Sequence, residues 1–577
     1  MLARFGAMSE CLLDIRADNT ENWSDHFTCT IAAIVTPTMK PPVLIVGAGP
    51  VGLALAGELG WRGIGCLLIE RGDGAIFQPK MDFVGVRTME FCRRWGIVGR
   101  VEEAGYNRDY PQDCAWVTAL NGYELGRERF PSPREERPPV QSPQKRERCP
   151  QDFFDPVLVR FARGFPHVTL RYDTELAGFE ERADGVSAKV VDQRTGRQET
   201  IEAAYVVGCD GGASTVRQRL GIGMSGSPVL TYTTNVVFRR EGLEKLHDKT
   251  PGYRFIFIGP EGTWSTLVAI NGRDRWRFSL VGDETRRTYS EDELRNAIIR
   301  AVGRDFDFEI LSFMPWVRRQ LVADRYGTQR VFIAGDAAHL TSPTGGFGMN
   351  TGIQDSVDLG WKLEACLGGW GGTKLLASYE TERRPVGIRN VTEATGNLKR
   401  MLTPRVQHPA AEIFQPGPEG DRMRFEFGRN FTQMMRREWF TLGIHLGYAY
   451  EGSPIIVPDG TSAMPDEVST YTQTSRPGAR APHVWLREGK STLDLFGRGF
   501  VLLRLGAGPP AADRILDAAK RRGVPLSVVD IDHEQANGIY ARRLVLVRPD
   551  GHTAWRGDRQ PQEALGLVDT VRGAGAE

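Results

Sequence analysis

Three short glycine and carboxylate segments carry the residue types that hold a nucleotide. Gly47-Ala48-Gly49-Pro50-Val51-Gly52 follows the apolar run Val43–Val46 directly. In such a G-x-G-x-x-G, the first glycine permits a tight turn and the second lets backbone approach a pyrophosphate. The third lets a helix pack closely on a strand. Glu70 ends the next apolar run, where a carboxylate can accept hydrogen bonds from ribose hydroxyls; Arg71 follows it. Asp210-Gly211 closes the run in YVVGCDGG, and Gly335-Asp336 closes another in RVFIAGDAAH. A turn containing Pro343, Gly345, Gly346 and Gly348 comes next, then Met349 and Asn350. Its backbone can lie flat against a planar ligand. A helix starting near Asn350 can aim N–H groups at an electron-rich ring edge. The first motif alone does not separate NAD from FAD.

These residues need particular elements around them. Val43–Val46 and Cys66–Ile69 read as buried parallel strands, with a helix to about Leu59 between them. The helix after the glycine-rich turn places Ile353, Val357 and Trp361 on one face. A membrane span over Val43–Arg71 is excluded by its glycines and by Glu58 and Arg62.

The chain has 577 residues, room for several domains, and a net charge of +1. That balance gives no global attraction to nucleic acid or an acidic membrane. Its eight cysteines are scattered, with no C-x-x-C pair and none after Cys366. A disulfide framework and a metal site are not expected, and a cytoplasmic setting is. Residues 1–38 read as a disordered or misassigned leader, with Met39 as a start.

The three motifs, in this order, resemble the single-component FAD-dependent aromatic hydroxylases, the group of para-hydroxybenzoate and phenol hydroxylases. The resemblance covers roughly residues 41–400, with a weaker one at the C-terminus. It implies an α/β protein: a Rossmann-like FAD-binding domain, an interleaved antiparallel β-sheet substrate domain and a C-terminal thioredoxin-like domain. The expected boundaries are 39–225 and 326–400 for the FAD-binding domain, the first with an inserted substrate-domain portion. The substrate sheet takes 226–325, a helical connection 401–475 and the thioredoxin-like domain 476–577. The resemblance assigns Gly47, Gly49 and Gly52 to the FAD pyrophosphate and Glu70, with Arg71, to the adenosine end. It assigns Arg87, in VGVRTMEF, to the flavin nucleotide and Gln151, in RCPQDFFDP, to the ribityl chain. Asp210 and Gly211 go to FAD and the nicotinamide donor, and Asp336 to a ribityl hydroxyl. Pro343 and Gly346, Gly348, Met349 and Asn350 border the isoalloxazine ring. No second Rossmann fingerprint is present, so NADPH or NADH is expected to bind transiently.

The implied reaction inserts one atom of O₂ into a phenolic ring through a flavin hydroperoxide. A phenol with pKa near ~10 is about 0.1% ionised at pH 7, so forming phenolate costs roughly 4 kcal/mol. Asp82, at the spacing where phenol hydroxylases carry an aspartate, is the candidate base, with burial expected to raise its pKa. The aromatic and β-branched segments between Thr231 and Pro315 read as an antiparallel sheet. Tyr232, Tyr253, Phe257, Trp264 and Arg277 are its candidate pocket residues. The C-terminal strand, helix, strand and hairpin resemble the thioredoxin-like tail of phenol hydroxylases, without its redox cysteines, and a homodimer is expected. The alternatives are a polyketide-type hydroxylase or Baeyer–Villiger enzyme with a larger polycyclic substrate, and a non-catalytic FAD scaffold.

Overall fold

The computed structural model describes residues 41–575; the leader and the start at Met39 lie outside the described residues. At its centre is a five-stranded sheet, all parallel. Its order is Val331–Ile333, Tyr205–Gly208, Val43–Val46, Cys66–Ile69, Val168–Arg171. Val43–Val46 is buried throughout, as a central strand covered on both faces must be. The helix Pro50–Arg62 starts with proline in its first turn and stops at left-handed Gly63. It lies between the sheet and the helices Gln151–Arg163 and Phe347–Leu367. The close approach is enforced at Gly52, where a Cβ would stand 2.0 Å from the Gly47 carbonyl oxygen.

Five strands between Met224 and Ala323, with Cys114–Val117, Glu124–Glu128 and His339–Leu340, form an eight-stranded sheet, antiparallel except where Arg254–Gly259 runs parallel to Cys114–Val117. Its long strands Met224–Arg239 and Glu309–Ala323 pair along most of their length and bulge after Ser227. One face of this sheet packs a core of Val236, Phe238, Phe255, Phe278 and the helix residues Leu294 and Ile298. The other face turns toward the parallel sheet.

The C-terminal unit is a four-stranded sheet in the order Leu526–Ile531, Phe500–Leu505, Leu544–Val547, Thr553–Gly557. It docks on the helices Val86–Trp95, Phe347–Leu367 and Ser378–Met401 through buried charges. Arg548 pairs with Glu382 and Asp358, and Arg480 pairs with Glu90, all nearly inaccessible to solvent. Among the described residues no helix is long and apolar enough to cross a membrane. No cluster there could hold a metal ion.

Candidate active site

Sheet register explains how three distant motifs meet. Val46 lies beside both Gly208 and Ile69, and Gly208 lies beside Ile333. The turns after these neighbouring strands therefore leave the sheet at one edge, where α/β folds place their ligands. They open on a cavity of about 320 Å³.

On this wall the glycine turn is built as its spacing required. Gly47 takes φ +105° and donates its N–H to the Ile69 carbonyl at 2.8 Å. Gly49 caps the helix Pro50–Arg62 and lines the cavity; a Cβ there would meet nothing within 4 Å, so the space before the helix N-terminus is open. Glu70 braces the turn, accepting from Ala48 N at 2.8 Å and from Gly72 N at 3.0 Å. Arg71 is exposed, and neither it nor Glu70 lines the cavity.

Gly211, Gln151 and Asp336 line the cavity; Asp210 does not. The Asp210 carboxylate caps the helix Thr215–Arg219, accepting from Ser214 Oγ and from Val216 N at 3.1 Å. Gln151 accepts from Lys80 N and donates to Asp155. Asp336 has no hydrogen-bond partner among the described residues. Asp336 is exposed where it lines the cavity, and desolvation by the surrounding protein raises its pKa. An acceptor left open in this way suits a ligand hydroxyl.

The glycine-rich turn is closed by Gly346 N donating to the Pro343 carbonyl. Gly346, at φ +69°, caps a helix that begins at Phe347, three residues earlier than expected. Pro343, Gly346, Gly348 and Met349 line the cavity. Asn350 is a clamp instead. Its amide donates to the Phe83 and Gly346 carbonyls and accepts from Gly85 N and Thr88 Oγ1. Arg87 also turns elsewhere. Its guanidinium pairs with Glu90 and donates to the Asp550 carbonyl of the C-terminal unit at 2.9 Å.

The facing wall is the eight-stranded sheet, and here Asp82 sits in a cluster. Its Oδ2 accepts from Tyr253 Oη at 2.8 Å and Arg277 Nη2 at 3.2 Å; its Oδ1 accepts from Arg148 Nη1 at 3.2 Å. Burial alone would raise its pKa. Arg277, Arg148 and the Tyr253 hydroxyl outweigh that, and the net shift is downward. The expectation of a raised pKa is therefore corrected: Asp82 is an ionised acceptor. Tyr253 lies beneath the Arg148 guanidinium, 3.6 Å from ring centroid to Cζ, and burial raises its own pKa.

Of the candidate pocket residues, Tyr253 and Arg277 line the cavity, and Tyr232, Phe257 and Trp264 do not. Tyr232 alternates with Thr233 and Asn235, which do face it. Trp264 shares parity with cavity-facing Thr266, but a register shift opposite Phe257 and Ile258 turns it into the aromatic core with Phe257 and Phe278. Sequence reasoning missed Arg148, Arg254, Glu438 and Arg318, all on the cavity. Alternation in RER and WVRRQLVA was the available signal.

The chain matches the model of the FAD binding domain over residues 40–394 and that of the aromatic-ring hydroxylase C-terminal domain over 474–573. The chain belongs to the FAD-dependent aromatic-ring hydroxylases. This hydroxylase is 33% identical to a putative polyketide hydroxylase of Streptomyces halstedii, over 92% of this chain and 96% of the relative. It is 31% identical to a 4-methyl-5-nitrocatechol 5-monooxygenase of a Burkholderia species, over 93% and 98%. Among solved structures it resembles RebC, soaked with chromopyrrolic acid and holding 7-carboxy-K252c. The identity is 40%, the TM-score 0.86, and the match covers 93% of this chain and 99% of RebC. The hydroxylase is thus an FAD-dependent aromatic monooxygenase. The open space before the first helix, the unpartnered Asp336 and the glycine turn at Pro343–Gly348 on the cavity wall fit that cofactor.

Proposed function

We propose that this hydroxylase uses NADPH or NADH and O₂ to hydroxylate a phenolic arene bound between the Pro343–Met349 turn and the substrate sheet. The observation that carries this reading is the Tyr253–Asp82 pair on the cavity wall. Gly47–Gly52, Gln151, Asp336 and the Pro343–Met349 turn would hold FAD, which would supply the electron transfer and the activation of O₂.

The chain's own residues tune the arene. Tyr253 spends its proton on Asp82, which leaves its oxygen lone pairs to accept a hydrogen bond from a substrate hydroxyl. The ionised carboxylate behind it strengthens that bond. Because Asp82 is held below the ordinary carboxylate range, it does not take the proton in the resting state. As negative charge develops on the substrate oxygen, Arg148 and Arg277 are at hand to offset it.

A larger, polyketide-type arene is a second reading, favoured by the polyketide hydroxylase relative. The test is anaerobic flavin reduction by NADPH and by NADH, with phenols of one to four fused rings. Strong acceleration by a phenol, and none by its methyl ether, is expected, and the ring number that accelerates most decides between the readings. Equal rates with phenol and ether would contradict the role of the Tyr253–Asp82 pair.

A further inference from the structure

A second, smaller cavity lies beside the first. It measures about 20 Å³, room for about one water molecule, and has Gln112 and Glu136 on its lining. Phe83, Arg146, Arg148 and Trp439 line both cavities and so make up the wall between them.

The first three are tied down. Arg148 reaches through the wall: its Nη1 donates to Asp82 in the larger cavity at 3.2 Å, and its Nε donates to Gln112 in the smaller one at 2.9 Å. Phe83 pairs with Arg148 across a two-stranded ladder and lies against its guanidinium. Arg146 donates to Glu136 at 2.7 Å. Trp439 is different. It ends the helix Pro418–Trp439, and its Nε1 is buried without a hydrogen-bond partner. Its ring is held by packing, with the Arg254 guanidinium 5.3 Å from the centroid and Phe130 edge-on at 6.4 Å. Buried Trp N–H groups usually find an acceptor, so this side chain owes its place to shape. Shape is what a partition needs.

We propose that Trp439 limits the length of the arene this enzyme accepts, by closing the larger cavity against the smaller one. Replacing it with a small residue joins the two volumes and adds the space of the indole. The space left by one large buried side chain takes a ring the size of benzene, so the joined cavity admits one further fused ring. That ring extends toward Gln112 and Glu136, on the far side of Arg148 from Asp82. The inference rests on the proposed placement of an arene in this cavity, and not on the chemistry proposed for Tyr253 and Asp82.

The test is binding of hydroxyarenes of one to four fused rings to the FAD-loaded enzyme, followed by the change in flavin absorbance. In the wild type, affinity should rise with ring number and then fall about tenfold or more at the first arene too long for the cavity, the scale of an overpacked contact. Trp439→Ala should move that fall up by one ring, raising affinity for the first excluded arene about tenfold and changing the one-ring phenol less than about threefold. Trp439→Leu, a milder truncation, should move the fall in the same direction by less, and it decides the matter where Trp439→Ala fails to retain flavin. A fall at the same ring number in a flavin-loaded variant, or none in the wild type up to four rings, overturns the partition and leaves the proposed function standing. A uniform loss of affinity at every ring number assigns Trp439 to packing and overturns it as well. Failure of every arene to bind wild type and variants alike overturns the placement of the arene, and this inference with it.

Discussion

Tyr253 donates its hydroxyl to Asp82 at 2.8 Å, while Arg277 and Arg148 hold the same carboxylate ionised. The arrangement inverts the simplest expectation for a buried aspartate. Desolvation is present, but two guanidinium groups overcome it. What remains is a polarised tyrosine with an open lone pair, a better hydrogen-bond acceptor than a phenol in water.

Tyr253→Phe should therefore keep FAD and lose turnover of ordinary phenols by about 100-fold. Phenols bearing electron-withdrawing groups, already acidic, should lose much less. Steady-state rates across substituted phenols check this; a uniform loss would assign Tyr253 to packing alone.

Asp336→Ala removes the one cavity carboxylate of the nucleotide wall without changing any protein hydrogen bond. FAD affinity should fall about 10- to 100-fold, the range for a hydrogen bond to a charged group. Gly52→Ala, with its Cβ 2.0 Å from the Gly47 oxygen, should yield protein without bound flavin. Flavin content after gel filtration and titration with free FAD measure both.

The contrast between Gly52 and Asp82 shows what the sequence discloses. The glycine motifs work through strand–turn–helix geometry within a few residues, so spacing alone discloses them. The environment of Asp82 comes from Arg148 and Arg277, 66 and 195 positions away, and its pKa direction follows from that tertiary contact. Arg87 was assigned to the flavin nucleotide by resemblance, and the partner it takes here, the Asp550 carbonyl, lies 463 positions downstream, beyond the reach of local pattern. Trp264 was misplaced by one bulge, which no pattern of alternation foretells. Alternation in WVRRQLVA could have placed Arg318 on the cavity face, but the partners of its guanidinium are a tertiary matter that spacing does not carry.

Arg548 bridges Glu382, Asp358 and Asp550 with no solvent access. Arg548→Met leaves these carboxylates buried beside one another and should destabilise the protein by about 3–5 kcal/mol. Adding Glu382→Gln should recover part of the loss. Denaturant unfolding of the single and double variants checks the sign.

His552 is packed against Tyr448 and Tyr450, and burial pushes its pKa down to about 4. The unfolded imidazole titrates near ~6.5, so below that pH the unfolded chain binds a proton that the folded chain does not. Stability contributed by the neutral His552 is thus present above about pH 6.5 and lost as pH falls toward 4. At pH 5 the loss is about 2 kcal/mol. His445 and His483, also held at about 4, add in the same direction. His552→Phe should flatten the fall in melting temperature between pH 7 and pH 5; an unchanged slope would contradict a neutral buried imidazole.

The central claim is that this cavity delivers one oxygen atom from O₂ to a phenolic arene under the control of Tyr253 and Asp82. The most direct test is turnover of the phenol that best accelerates flavin reduction, under isotopically heavy O₂, with product analysed by mass spectrometry. The account predicts one heavy oxygen atom per product molecule, with Tyr253→Phe consuming NAD(P)H but releasing mostly hydrogen peroxide. Unlabelled product, or full coupling in Tyr253→Phe, would contradict it.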